Sequence, residues 1–282
     1  MPIVIDIAFY AAFALFATAT ITSYMYLRGD RQNMLGATQR AISVAAGLLL
    51  IAFCLRWISY GRIPLTTMVD IVNLLLVMST AIVLMLVRTE PLRPLVCYYA
   101  PPLAALSLMN VALGFRTLHE APKELDDVFL AVHVGLAFLA YALFLIASLT
   151  SAVYIVQARR LKSPLNTART VKLPPLEYLD ATLYRLIKWG YPFFAITLIL
   201  GFVGVYLYPD ELGVRWWLSA KILFAVFMAG LYSFSFHSRR LGLLRGQKLA
   251  YVMVIGFGAM LAIYLLLSVT NLKDAGFWSS AA

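Results

Sequence analysis

Long apolar segments alternate with short polar ones along the whole chain. Eight of the apolar segments are about 20 residues long, which is the length that a helix needs to cross the hydrocarbon core of a bilayer. They lie at about 3–27, 41–60, 66–87, 94–115, 128–156, 190–208, 216–236 and 249–270. The pattern predicts an all-α polytopic membrane protein with about eight transmembrane helices, and it leaves no stretch long enough for a separate soluble domain.

The longest polar connector, about 158–189, carries a pattern of its own. After Pro174 and Pro175, apolar residues recur on one helical face and charged residues on the other. The apolar positions are Leu176, Leu179, Leu183, Leu186 and Ile187, and the charged ones are Glu177, Asp180, Arg185 and Lys188. We interpret this stretch as an amphipathic helix on the inner membrane surface, with a solvated linker as the alternative. It divides a single membrane domain, 1–282, into a five-helix part (about 1–157) and a three-helix part (about 190–282).

Charged residues make up only 13% of the chain, yet the net charge is +10. The basic residues lie at the ends of the apolar segments, where we expect them to contact anionic lipid headgroups and not nucleic acid. Lysine and arginine concentrate after the first, third, fifth and seventh segments, which predicts that both termini face outward. The first segment lacks a basic preface and a cleavage site, so we expect it to remain as a membrane helix.

Several classes of function lack support in the sequence. Cys54 and Cys97 fall in opposite halves of the membrane in this topology, which excludes a disulfide between them. The chain has no Cys-x-x-Cys pair, no Cys-x-x-Cys-His site for covalent haem attachment and no Walker motif. Asp70 is the only acidic residue clearly inside a central segment, and no inverted repeat is evident, so a transporter is also not supported.

The histidines are the leading candidates for chemistry, because an imidazole near the membrane edge can serve as an axial ligand to haem iron. His133 lies just inside the fifth segment, and packing against a neighbouring helix is its alternative interpretation. His119 lies in an acidic outer loop, where a solvated side chain is the alternative. His237 ends the seventh segment, where the helix dipole and lipid phosphates would also favour a histidine.

Two arginines lie near the outer turn formed by Ser59–Leu65. Arg62 offers a fixed positive charge within this turn, beside the helix breakers Gly61 and Pro64. Arg56 lies one turn deeper, and at that depth we expect its side chain to reach the lipid headgroups; clamping a ligand carboxylate is the alternative.

Four stretches occur in the same order as motifs of one family. They are Gly61-Arg-Ile-Pro-Leu-Thr-Thr-Met-Val-Asp70, His133-Val-Gly-Leu-Ala-Phe-Leu-Ala-Tyr141, Leu173-Pro-Pro-Leu-Glu177 with Gly190-Tyr-Pro192, and Tyr232-Ser-Phe-Ser-Phe-His237-Ser-Arg239 with Ile255-Gly-Phe257. The resemblance that they carry covers about residues 50–278. On these stretches the chain resembles the integral-membrane cytochrome c assembly proteins of the CcsA type, which include the HemX and YpjD branches.

The resemblance implies a role for each histidine and also shows two departures from the family pattern. It implies that His133 is an outer-side haem ligand and that His237 lies in the membrane towards the inner side. The family's outer Trp-rich motif is degraded here, with Trp216 retained but Ser219, Ala220 and Ile222 at its Asp, Pro and Glu positions. The family's second outer histidine corresponds to Trp278. His119 is the other outer histidine that could take its place.

The resulting expectation is a haem-handling protein of the bacterial cytoplasmic membrane that binds haem b or passes it towards the outer face. The candidate cofactor-binding residues are His133, His237, His119, Trp216 and Arg62, with His133 as the expected ligand to iron. The resemblance further implies a CcsB-like subunit and apocytochrome c as partners. The degraded motif leaves open whether the protein is a haem lyase, and a non-catalytic regulatory or accessory protein of the HemX or YpjD branch is the alternative.

Overall fold

A computed structural model describes residues 2–29, 32–61, 63–65, 68–112, 128–162, 173–207 and 220–269. These residues form eight α-helices, one short 3-10 helix and no strand. The α-helices are α1 (Pro2–Gly29), α2 (Gln32–Tyr60), α3 (Met68–Leu86), α4 (Val96–Ala112), α5 (Val128–Lys162), α6 (Leu176–Leu207), α7 (Ala220–Arg240) and α8 (Gln247–Val269). The all-α prediction is confirmed.

Six of these helices are long and apolar enough to cross a membrane, by length and composition. They are α1 to α6, and within the described residues α8 contributes a shorter apolar stretch, Gln247–Ala262. Helices α7 and α8 coincide with the seventh and eighth apolar segments. Helices suit this environment because a bilayer offers no water to the backbone, so each peptide group must find its partner inside the segment. The chain is a multi-pass membrane protein.

The amphipathic connector forms a helix, but this helix is not separate from the sixth span. It begins after Pro175 and continues without interruption through Pro192 to Leu207. The predicted apolar stripe is buried against the protein, with Leu179, Leu183 and Ile187 fully inaccessible. At 32 residues, α6 is about 48 Å long, well beyond the roughly 30 Å hydrocarbon core, so the charged half projects past one membrane face.

Contacts between α1 and α2 and between α4 and α5 show that the helices of each of these consecutive pairs run antiparallel. Near one end of the bundle, the Thr22 and Thr38 hydroxyls are 2.8 Å apart between α1 and α2, and the Tyr99 and Thr150 hydroxyls are 2.8 Å apart between α4 and α5. We call this end of the bundle the basic end. The helices are connected there by residues 29–32, 87–95, 162–176 and 240–247. We call the opposite end, at the junctions 60–68, 112–128 and 207–220, the His133 end.

Helix α5 occupies the centre of the arrangement. It packs along α6, α3 and α8, while α1 packs along α2 and α4. Its middle third, from Ala140 to Ser151, is almost continuously buried. The division of the chain into a five-helix and a three-helix part stays a prediction, since α5 contacts helices of both.

Helices α2 and α3 are joined by a buried ion pair near the His133 end. Arg56 Nε donates to Asp70 Oδ1 at 2.5 Å, and the two side chains are 10% and 0% exposed. The expectation that Arg56 reaches the lipid headgroups is wrong, because its charge is satisfied inside the bundle. Pairing inside the bundle is the arrangement that intramembrane charges require, since an isolated charge there is expensive.

We predict that Asp70→Asn destabilises the protein by about 3–5 kcal/mol, because it leaves the Arg56 guanidinium buried without its counter-charge. The double variant Arg56→Met/Asp70→Leu should recover most of that loss, since it removes both charges. Unfolding in mixed micelles of increasing denaturing detergent measures the three variants beside the wild type. Additive losses in the double variant would contradict the pairing.

Candidate functional site

His133 lies in the second turn of α5 and packs against α6. The main-chain carbonyl of Thr197 on α6 faces its imidazole. Its Nδ1 atom is buried and has no hydrogen-bond partner among the described residues. A neutral imidazole that donates through one nitrogen keeps a lone pair on the other, so Nδ1 is the atom of His133 with unused acceptor capacity.

Gly201 on α6 creates the space that this ring occupies. A Cβ atom added at Gly201 would lie 3.2 Å from His133 Cε1 and 3.9 Å from Nδ1. Three residues further along α6, Gly204 faces Phe129 at ordinary contact distance. The two glycines let the α6 backbone approach α5 closely, which is how small residues act between membrane helices. The same contact encloses Nδ1 of His133, so a ligand can reach this atom only if the ring turns or the helices part.

Other buried polar side chains lie at the same depth as His133. Asn73, in the second turn of α3, is fully buried, and Asn110, in the last turn of α4, is 1% exposed. Within the described part of the chain, neither amide has a partner for its nitrogen or its oxygen. We call the four side chains of Arg56, Asp70, Asn73 and Asn110 the polar layer of the His133 end. An unsatisfied buried polar group in a folded protein calls for a reason, and a bound molecule or water is the usual one.

His237 lies in the last turn of α7 at the basic end, and its surroundings differ. The side chain is exposed, and Nδ1 donates to the Ser233 carbonyl at 2.8 Å. The Ser233 hydroxyl lies 3.4 Å from the same nitrogen, but the shorter contact is to the carbonyl, which can only accept, so the geometry favours the tautomer with the proton on Nδ1 and the lone pair of neutral His237 on Nε2. Nε2 has no partner among the described residues. Metal-binding histidines are commonly oriented in this way, with the second nitrogen donating to a backbone carbonyl.

Aromatic rings surround His237 and also separate it from His133. Tyr191 and Phe236 each meet the imidazole edge-to-face, at centroid distances of 5.8 and 5.2 Å. Deeper in the bundle, Tyr141 packs on Phe194, and Phe144 stacks on Tyr232. We call Tyr141, Phe144, Phe194 and Tyr232 the aromatic layer.

The two histidines belong to different sites. His133 lies opposite Gly201 and His237 beside Tyr191, ten positions apart on α6, which corresponds to about 15 Å along the helix axis. One iron atom cannot bind both. Among the described residues, no three His, Cys, Asp or Glu side chains come together as a metal-ion site would need. A haem iron requires only one or two protein ligands, because the porphyrin supplies the other four.

The remaining candidate residues, Arg62, His119 and Trp216, lie outside the described residues, as does Trp278. Their roles stay predictions. Cys54 and Cys97 are both free, the first exposed and the second buried, in agreement with the absence of a disulfide.

Sequence reasoning missed Asn73, Asn110 and Gly201. The signal for the two asparagines was present, since each interrupts an apolar run at the depth of His133. Gly201 and Gly204 form a small-residue spacing in the sixth segment, but nothing in the sequence assigns their partner as α5.

A sequence model of the family described as "Cytochrome C assembly protein" matches residues 7–272. The chain belongs to this family. The resemblance inferred from the four motifs is confirmed.

The similar proteins carry two names within the cytochrome c assembly family. The cytochrome c biogenesis protein CcsA of Synechococcus sp. (strain CC9902) is 24% identical over 281 residues, covering 91% of this chain and 90% of that protein. Protein HemX of Bacillus subtilis (strain 168) is 28% identical over 144 residues, and protein HemX of Brevibacillus brevis is 26% identical over 132 residues. The alignments cover 51% and 47% of the two HemX proteins, which is about half of their length. The alignment with CcsA covers 90% of that protein.

We predict that Asn73→Leu leaves the thermal stability of the detergent-solubilised protein unchanged or raises it. The wild-type amide is buried without partners, which costs about 1–3 kcal/mol that an apolar side chain of similar size avoids. Thr150→Val is the matched control, because the Thr150 hydroxyl is also buried but is bonded to Tyr99 and to the Ile146 carbonyl. It should lower the melting temperature. A larger loss for Asn73→Leu than for Thr150→Val would contradict the prediction.

Proposed function

We propose that this protein binds haem b in the membrane through His237 and passes it towards the His133 end during cytochrome c assembly. One observation carries the proposal: Nδ1 of His237 is fixed by the Ser233 carbonyl, which leaves Nε2 unpaired on an exposed helix face. Membership of the cytochrome c assembly family supports haem as the ligand. When bound, haem supplies the iron and the vinyl groups that cytochrome c maturation uses.

The residues fit a haem at His237 better than at His133. His237 combines an available nitrogen with the ring surfaces of Tyr191 and Phe236, which suit a flat apolar macrocycle. His133 has an unpaired nitrogen as well, but Gly201 and α6 cover it. We therefore propose His237 as the resident ligand and His133 as a second ligand that becomes available when α5 and α6 move apart.

The charge distribution supports one orientation of the helices in the membrane. Arg159, Arg160, Arg239 and Arg240 lie at the basic end, which by the positive-inside rule faces the cytoplasm. We propose a bacterial cytoplasmic membrane location, with haem entering at the basic end and leaving at the His133 end. Because the aromatic layer fills the interior between the two histidines, the route runs along the lipid-facing surface of the bundle. A CcsB-like subunit and apocytochrome c are the proposed partners there.

A non-catalytic accessory or regulatory role is the second candidate. The degraded Trp-rich motif and the similarity to HemX proteins favour it. Such a protein would not need to release haem to an apocytochrome. Haem retention without transfer would therefore support this role over that of a synthase subunit.

The first test is the visible spectrum of the dithionite-reduced, detergent-purified protein. We expect a Soret band and b-type α and β bands in the wild type, a large loss in His237→Ala, and partial recovery when free imidazole fills the space left by the side chain. Ser233→Ala is the control and should retain the wild-type spectrum, because it keeps the main-chain carbonyl that His237 Nδ1 contacts. Wild-type protein that carries no haem and takes up no added hemin would refute the proposal.

The role of His133 is tested separately by Gly201→Ala. The added methyl group would force the His133 ring or the α6 backbone to shift by a few tenths of an ångström. In a His237→Ala background, we expect Gly201→Ala to change hemin affinity at the remaining site. Gly135→Ala should not, because a Cβ atom there meets nothing within 4 Å. Equal hemin titrations for the two variants would exclude His133 as a ligand.

A further inference from the structure

A second site lies at the basic end, away from both histidines. The first turns of α6, the end of α7 and the turn between α7 and α8 enclose an open cleft of about 600 Å³. This volume falls within the roughly 300–1,000 Å³ of small-molecule sites. The cleft is lined by Tyr154, Leu176, Glu177, Asp180, Tyr184, Arg239, Arg240, Arg245 and Gly246.

The α7–α8 turn shapes one wall of the cleft. Gly242 and Gly246 both have positive φ angles, +76° and +57°, which a side chain would strain. The Leu243 amide donates to the Ser238 carbonyl at 2.8 Å, which closes α7 with a tight glycine cap. As a result, the Arg245 guanidinium folds beside Gly242, and Gly246 lies against the Tyr154 hydroxyl.

One of the three arginines is neutralised and fixed in place. Arg239 binds Asp180 through two hydrogen bonds, of which Nη1 to Oδ1 measures 2.9 Å, and its guanidinium lies 5.3 Å from the centre of the Tyr184 ring. A bidentate pair of this kind is geometrically specific. It therefore anchors the charged half of α6 to the end of α7 and leaves little charge for a ligand.

The other charges of the cleft do not cancel. Arg240 and Arg245 are exposed, and neither has a hydrogen-bond or ion-pair partner among the described residues. Glu177, also exposed, contributes one negative charge. The sum of these three groups is one positive charge, which matches the single negative charge of a phosphodiester. The Glu177 carboxylate can in addition accept a hydrogen bond from a hydroxyl of the same ligand.

The surroundings point to a lipid as the source of this phosphodiester. Leu241 and Leu243 in the adjoining turn are 71% and 67% exposed, so apolar surface borders the cleft at the membrane boundary. Acyl chains would cover these two leucines, whereas a free phosphate would leave them uncovered.

We propose that this cleft binds the headgroup of an anionic phospholipid bearing a phosphodiester and a hydroxyl group. Arg240 and Arg245 bind the phosphate, and Glu177 accepts from the hydroxyl. The lipid bridges the α7–α8 turn and the first turns of α6. The proposal does not depend on haem binding.

Native mass spectrometry of the full-length protein with phosphatidylglycerol tests the proposal. We expect Arg240→Gln/Arg245→Gln to weaken binding by about thirtyfold, since each of the two basic residues near a membrane surface contributes about 1 kcal/mol. Arg88→Gln/Arg160→Gln is the matched control: it removes the same charge from exposed positions outside the cleft. Equal losses in the two double variants, or no loss in either, would overturn the proposal.

Two further arms of the experiment distinguish the ligand. Inorganic phosphate should not displace phosphatidylglycerol, and displacement at matched concentrations would identify a free-phosphate site instead. Glu177→Gln should shift preference towards phosphatidic acid, because it removes the negative charge that disfavours a phosphomonoester. An unchanged ratio of the two lipids would overturn the role of Glu177. Unfolding midpoints of all variants without lipid confirm that each one folds.

Discussion

The close antiparallel contact between α5 and α6 fixes the geometry on which the rest of the protein depends. Lipid chains are as apolar as leucine, so membrane helices associate through close packing and not through exclusion of water. Gly190 allows Phe144 to approach the α6 backbone at one level, and Gly201 allows His133 to do so at another. Helix α6 then carries the contact to α7 through Tyr191 and Phe236. Both described histidines are therefore positioned by one helix.

Some polar groups inside the bundle have hydrogen-bond or ion-pair partners, and others have none among the described residues. The first kind stabilises the fold, and the second kind is a candidate for function. Arg56 and Asp70 neutralise each other and hold α2 to α3. Asn73 and Asn110, at similar depth, have no such partners within the described chain. Proteins commonly retain costly groups where activity needs them. Asn73 and Asn110 are therefore more readily explained by something that they bind than by their contribution to folding.

Much of the fold could be predicted because the bilayer imposes a simple rule. An apolar segment of about 20 residues has to become a helix, and seven of the eight apolar segments became separate helices as predicted. The exception is the boundary that we predicted at about residue 190, between the amphipathic connector and the sixth segment, because α6 continues through it and through Pro192. Proline removes one hydrogen bond but does not end a helix that tertiary packing supports on both sides. Ile187 before Pro192 and Phe194 after it are both buried and provide that support.

The site was less predictable because its key relations are not local. Arg56 and Asp70 pair across a turn between two helices, which hydropathy alone cannot show. The sequence ranked His133 first on its position in the membrane, yet the side chain with the better oriented nitrogen is His237. That orientation depends on a main-chain carbonyl oxygen, and an amino-acid sequence does not show which side chains contact the main chain.

The anchor of His237 has a consequence for how such ligands can arise. Ser233 contributes its main-chain oxygen, and any residue four positions earlier in a helix offers the same atom at the same place. The tautomer is therefore set by the main chain of the helix, which offers this acceptor wherever a helix forms. A histidine introduced near the end of any helix, in this rotamer, has its ligating nitrogen selected without a second mutation. Partner side chains, which must otherwise evolve together with a metal ligand, are unnecessary here.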